Sequence, residues 1–215
     1  KAAAQKAQQQ AWVEIGEYVG RIDPYHHPRT VHQGTRPQDP VTGETLFEFQ
    51  HLQTGHSGFE SIPNTVNTVR AEAARLPAKP AVEGELNYEG ILEGSRQEVQ
   101  RMDFWVVMLS GGAGFTYGAN GIWQLNREGQ PYGPSPHGAS WGDTPWTEAY
   151  RLPGSAAVAV GAKLLRRYPW WQFRPHQAWV EPSASKENYF LPYAAGIPGQ
   201  VRVFYLPKGV TPWGQ

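Results

Sequence analysis

The chain has 215 residues, with 19 Lys+Arg against 19 Asp+Glu and no cysteine. Zero net charge without a long basic run argues against a nucleic-acid partner, and no stretch approaches the ~20 apolar residues of a membrane span. The lack of thiols removes disulfides, thiolate nucleophiles and zinc–thiolate sites together.

Lys1 to Gln10 is a run of Ala, Gln and Lys with good helix propensity and no apolar stripe, so it reads as the exposed start of a helix or as a tail. Trp12, Ile15 and Val19 continue at helical spacing and predict a buried face, with Gly20 as the stop. Asp23 to Pro28 is a loop stiffened by two prolines, and Arg29 to His32 reads as a short strand ending in a histidine. His26, His27 and His32 invite a metal reading. Adjacent histidines cannot both face one ion from a regular element, however, and no further ligand cluster stands out, so neither metal nor other cofactor is expected. Gln33 to Thr45 has loop composition. Leu46 to His56 is the next extended run, and a helix from Pro63 carries Val66, Val69, Ala73 and Leu76 before Pro77 ends it.

Lys79 to Gly90 concentrates the acids: Glu83, Glu85 and Glu89 within seven residues, behind a proline that opens a strand near Pro80. Alternation puts Ala81, Glu83 and Glu85 on one face and Val82 on the other. Two acids on one face of an apolar strand are costly without partners or a task. If the strand lines a barrel, Glu83 lies one layer deep and Glu85 sits at the carboxyl-terminal rim, where such barrels keep their chemistry. The other reading is a solvent-exposed acidic turn.

Ser95 with Glu98 forms a capping-box pattern ahead of a stripe of Val99, Met102, Val106 and Leu109, stopped by Gly111–Gly112. Gly114 to Gly118 is a glycine-bounded strand, and Gly121 to Gln124 is read as continuing it. Strand and helix alternate through this region, which predicts a parallel α/β arrangement. Asn126 to Pro153 is a long loop bearing Trp141 and Trp146, of a length that is usually functional. A helix from Ser155 ends near Arg166–Arg167, and Pro169-Trp170-Trp171 opens a junction. Tyr189–Ala195 and Val201–Leu206 are then strands without helices between them. The domain reading is therefore 1–176 and a small β element over 177–215.

Several stretches together resemble the apiosidase-like catalytic domain family of glycoside hydrolases. They are Asp23-Pro24-Tyr25-His26-His27, Gln53-Thr54-Gly55-His56, Lys79-Pro80 through Tyr88-Glu89-Gly90, and Gly114 to Trp123, with Pro153-Gly154-Ser155 and Pro169-Trp170-Trp171 beside them. Val203-Phe204-Tyr205-Leu206-Pro207 is similar to the opening of the β domain that often follows and that carries a collagen-binding label in the family.

The resemblance implies the C-terminal half of a (β/α)8 TIM barrel, with strands five to eight near Arg29–His32, Leu46–His56, Pro80–Glu85 and Gly114–Tyr117. It implies Glu85 as the nucleophile, with Glu89 as second candidate, and an acid/base carboxyl on a strand before Lys1. Tyr88, Tyr117, Trp123 and Trp141 are then expected to stack on sugar rings, and His32, His56 and Asn120 to hydrogen-bond hydroxyls. The implied partners are a carbohydrate and a missing N-terminal half or second chain, and the implied location is secreted or periplasmic. The competing expectation is a non-catalytic binding or structural subunit that keeps the scaffold.

Overall fold

The computed structural model describes residues 2–32, 46–130 and 141–207. The Gln33–Thr45 loop and part of the Asn126–Pro153 loop lie outside the described residues.

Four parallel segments form the centre. β1 (Gln50–Gln53) pairs with β2 (Ala81–Glu85), which pairs with β3 (Gly114–Phe115), all parallel. Of the predicted Arg29–His32 strand, only His32 joins, through a single parallel bridge to His51. Strand and helix alternate as expected, with α2 (Ile62–Ala73) between β1 and β2 and α3 (Gln97–Leu109) between β2 and β3. The fold is thus mixed α/β on a parallel sheet.

α3 buries the face its spacing predicts and α2 only the first part of its own: Ala73 and Leu76 are exposed, and α2 ends at Ala73 rather than at Pro77. Val66 and Val69 of α2 and Met102, Val106 and Leu109 of α3 are fully buried against Leu52 and Ala81 of the sheet. Each such side chain contributes roughly 1.5–3 kcal/mol by leaving water. α4 (Trp146–Ala149) is a single turn, and α5 (Gly154–Leu165) packs along α3. A Cβ on Gly161 would come within 2.3 Å of the Phe104 ring, so this close crossing of α5 over α3 requires the glycine.

Three expectations are corrected. α3 starts at Gln97 with Arg96 as its cap residue, which makes no side-chain cap bond, and Ser95 has φ +50°, so the capping-box pattern is not used. Gly121 to Leu125 is a set of tight turns rather than extended chain, because the Gln124 side chain accepts from Gly121 N at 2.5 Å and donates to Asn120 at 2.7 Å. α1 (Ala2–Ile22) runs through Gly20, and its apolar stripe is uncovered: Trp12, Ile15 and Val19 are 44%, 51% and 41% exposed. Only the small face of α1 meets the rest of the described chain, with Gly16 buried on the Leu46 side chain.

β4 (Arg174–Pro175), β5 (Tyr193–Ile197) and β6 (Val201–Tyr205) make a separate antiparallel sheet. Tyr193, Ala195 and Val203 belong to the same apolar cluster as α2 and α3.

Candidate active site

Glu83 and Glu85 are two residues apart on β2, and the structure gives them opposite surroundings. Glu83 is fully buried on the helix side of the sheet. Its Oε2 accepts from Thr54 Oγ1 at 3.0 Å, and Thr54 in turn meets Thr65 of α2 at 2.8 Å. Its Oε1 has no partner among the described residues. Burial pushes the Glu83 carboxyl up to about 8, with the Thr54 bonds opposing. Asp103, buried on α3 and bonded to Asn87 at 3.0 Å, is pushed well above its ordinary value by the same desolvation, and Glu83 adds to the effect. An acid in this position is held as the neutral form.

Glu85 faces the other way. Its Oε2 lies 3.0 Å from His32 Nε2 and its Oε1 3.2 Å from His56 Nε2, and the Tyr88 hydroxyl donates to it as well. The bond from His56, with the charges of His32 and His56, holds this carboxyl below its usual range against the opposing pull of desolvation. The side chain is part-buried, with a fifth of its surface open.

Alternation alone would turn Glu85 to the helix side, together with Glu83. The register explains the departure. Leu52 pairs with Glu83 but Gln53 pairs with Glu85, so Gly84 and Glu85 together face one residue of β1. Such a bulge re-aims a side chain at a strand end. Glu85 consequently shares the open face with His51, whose ring occupies the space where a Cβ on Gly84 would stand, 1.9 Å from Nε2. The sequence reading that put Glu83 and Glu85 on one face is corrected by this bulge.

A layer of rings surrounds Glu85. His32 and His51 lie 4.3 Å apart, centroid to centroid, and desolvation together with His32 depresses the His51 imidazole. His56 stacks on Tyr88 at 5.2 Å and 15°, and Tyr88 leans on Trp123 at 6.3 Å. Tyr88 fits because Gly118 has no Cβ, which would fall 2.0 Å from the Tyr88 ring. Burial and Glu85 push the Tyr88 hydroxyl up to about 12, so it stays a donor. His56 Nδ1 lies 2.9 Å from Leu86 O, which can only accept. With Glu85 ionised, both contacts are hydrogen bonds when the ring carries both N–H groups.

Glu85, His32, His56, Tyr88 and Trp123 are therefore brought together. Glu89 and Tyr117 form a second, inner unit: Tyr117 donates to Glu89 Oε2 at 2.6 Å and Gly154 N donates to the same oxygen at 2.8 Å. Glu89 is 1% exposed and sits at the positive end of α5, where a carboxylate is favoured. A Cβ on Gly154 would stand 2.3 Å from that oxygen. Asn120 is fully buried and tied to Gln124, and Trp141 is half-buried with its carbonyl bonded to Leu92 N at 3.0 Å. Neither contacts the Glu85 group. His51 was not singled out from the sequence, since only the pairing of β1 with β2 brings it there; Gln53, quoted for the resemblance but given no role, lies 3.4 Å from His56.

No curated protein matches the chain. Among the solved structures that resemble it are a protein described as a glycoside hydrolase (TM-score 0.60, 23% identity, 71% of this chain and 37% of that one) and a glycoside hydrolase family 5 protein from Bacteroides vulgatus ATCC 8482 (TM-score 0.58, 24% identity, 71% and 36%). The chain spans little more than a third of either, and at these identities the likeness concerns the fold. A family model described as "Apiosidase-like, catalytic domain" matches residues 2–172, so β5 and β6 lie beyond it. The chain belongs to the apiosidase-like catalytic domain family.

Proposed function

We propose that this chain is the C-terminal half of a (β/α)8-barrel glycoside hydrolase and carries the nucleophile of a retaining reaction, Glu85. The single observation that supports this most is the contrast between two carboxyls on one strand. Glu83 is held neutral in the core, while Glu85 is held ionised at the open strand end by two histidines and a tyrosine. An ionised, oriented carboxylate with an open side is what attack on an anomeric carbon requires.

In the proposed reaction, a Glu85 oxygen bonds to the anomeric carbon as the glycosidic C–O bond breaks. A second carboxyl protonates the leaving oxygen. Water then attacks the same carbon, its proton passes to that second carboxyl, and the ester bond to Glu85 breaks to release the sugar. Retaining enzymes place the two carboxyls about 5–5.5 Å apart. Among the described residues Glu83, Glu89 and Asp103 are buried, so the acid/base is assigned to a strand outside this chain, as family resemblance implies. Tyr88 and Trp123 supply ring faces for the sugar. Glu89 is assigned to positioning, holding Tyr117 against the start of α5. The substrate of this reading is an O-glycosyl bond of a plant or microbial polysaccharide, met outside the cytoplasm.

The test is chemical rescue in the complete protein. Glu85→Gly is expected to lose hydrolysis of activated aryl glycosides and to regain turnover with azide, releasing a glycosyl azide of inverted configuration. Hydrolysis surviving in Glu85→Gly, or an intact wild type inert on every glycoside tried, hands the chain to the alternative of a non-catalytic scaffold subunit.

A further inference from the structure

The Pro169-Trp170-Trp171 segment takes no part in the Glu85 group. Its two tryptophans line a groove of about 560 Å³ at the opposite end of the sheet, within the size range of a small-ligand site. The groove lies where β2 begins at Pro80–Ala81 and where Gly111 to Ala113 lead into β3. Four residue steps along β2 separate its start from Glu85, roughly 13 Å at strand rise. A sugar held in the groove is therefore not the sugar cleaved at Glu85.

Its walls combine flat rings with positive charge. Trp171 is 66% exposed, and Trp170 stands edge-on to it at 6.3 Å and 81°. Met108 and Phe173 add apolar floor, and the exposed Leu76 stands at its rim. Arg75, Lys79 and Arg174 also line the groove, and no Asp or Glu does. Arg75 is offset by Glu72 at 3.3 Å. Lys79 and Arg174 bond only backbone carbonyls, Phe47 O at 2.8 Å and Phe173 O at 2.9 Å, and neither has a carboxylate partner among the described residues. Lys79 keeps two further N–H donors and Arg174 four. An occupant complementary to this surface has a flat apolar face for the indole and carboxylates for the two cations.

We propose that this groove is a second carbohydrate site that takes a uronate-bearing polysaccharide segment, tethering the polymer while Glu85 works elsewhere on it. The proposal rests on the glycosidase reading for the sugar class alone; the charge selection comes from the groove itself.

The experiment is titration calorimetry on the complete protein in the Glu85→Gln background, with polygalacturonate fragments, neutral xylan fragments and polyglutamate as probes. Polygalacturonate is expected to bind, and more weakly as salt rises. Trp171→Ala and Arg174→Gln, both at exposed side chains, are each expected to weaken binding about tenfold. Aryl-glycoside hydrolysis by Trp171→Ala in the wild-type background should be unchanged, which separates this site from Glu85. No polygalacturonate binding, or unaltered binding in both variants, overturns the proposal. Xylan binding as tight as polygalacturonate overturns the charge selection. Polyglutamate binding as tight overturns the sugar class and makes the groove a docking site for acidic peptide. Failure of the Glu85 reading would show instead as unaltered aryl-glycoside hydrolysis in Glu85→Gln, whatever the calorimetry gives.

Discussion

The two faces of β2 ask opposite things of the same functional group. On the helix side, Ala81 and Glu83 are closed in by α2 and α3, and the acid there is tolerated as a neutral hydrogen-bonding group. On the open side, Gly84 and Glu85 meet histidine rings, and the acid is kept charged by its contacts with His56, His32 and Tyr88. A carboxyl's chemistry is thus set by which face the backbone offers it. A bulge, not a change of residue type, makes that choice.

The sharpest way to break the comparison is to neutralise each acid in turn. Glu85→Gln is predicted to lower kcat/KM for aryl glycosides by roughly 10³-fold or more, equivalent to about 4 kcal/mol of transition-state stabilisation, while the melting temperature hardly moves. Steady-state kinetics beside thermal melts check this. Equal losses of activity in Glu85→Gln and Glu83→Gln would erase the distinction between the faces.

Glu83 should reveal itself through pH. Its folded value of about 8 lies above the ordinary 4.5, so between these the folded state holds a proton that the unfolded state has lost. Its contribution is fully present below about pH 4.5 and is lost as pH rises through 8, at up to about 1.4 kcal/mol per pH unit. Asp103 acts in the same direction. Denaturant titrations from pH 5 to 9 should show stability falling, with a flatter slope in Glu83→Gln. Glu85 has the reverse sign: its depressed value gives stability present above about 4.5 and lost as pH falls through the folded value.

Two smaller changes sharpen the picture. Thr54→Val removes the hydroxyl that donates to Glu83 and should cost about 1–3 kcal/mol of stability, with kcat/KM nearly unchanged. Gly84→Ala places a Cβ against His51 and should displace that ring, lowering kcat/KM about tenfold, about 1.4 kcal/mol of barrier, with less than that lost in stability. A stability loss larger than the activity loss in Gly84→Ala would assign the His51 ring to the core.

Much of this was legible in the chain itself. Pro80 placed the start of β2, Gly114 the start of a β3 that stops at Phe115, short of Gly118, and Val99, Met102, Val106 and Leu109 marked the face of α3, because local backbone rules and helical spacing act within one segment. Glu85 was readable as a strand-end acid for the same reason. Its facing was not, since a bulge exists only relative to a partner strand, here Gln53 of β1. His51 was missed on the same ground. Glu89, read as a second catalytic candidate, lies buried under the start of α5, a contact 65 residues away in sequence that no local pattern announces. The α1 stripe was legible as a stripe; that the described chain leaves it uncovered was not.

That stripe carries its own optical reporter. Trp12, Ile15, Tyr18, Val19 and Ile22 all stand in water along α1. An indole that leaves water for a packed apolar contact emits at shorter wavelength and is sheltered from quenchers. With the other tryptophans replaced where the fold allows, the emission of Trp12 would report, in a cuvette and without added dye, whether anything covers this helix.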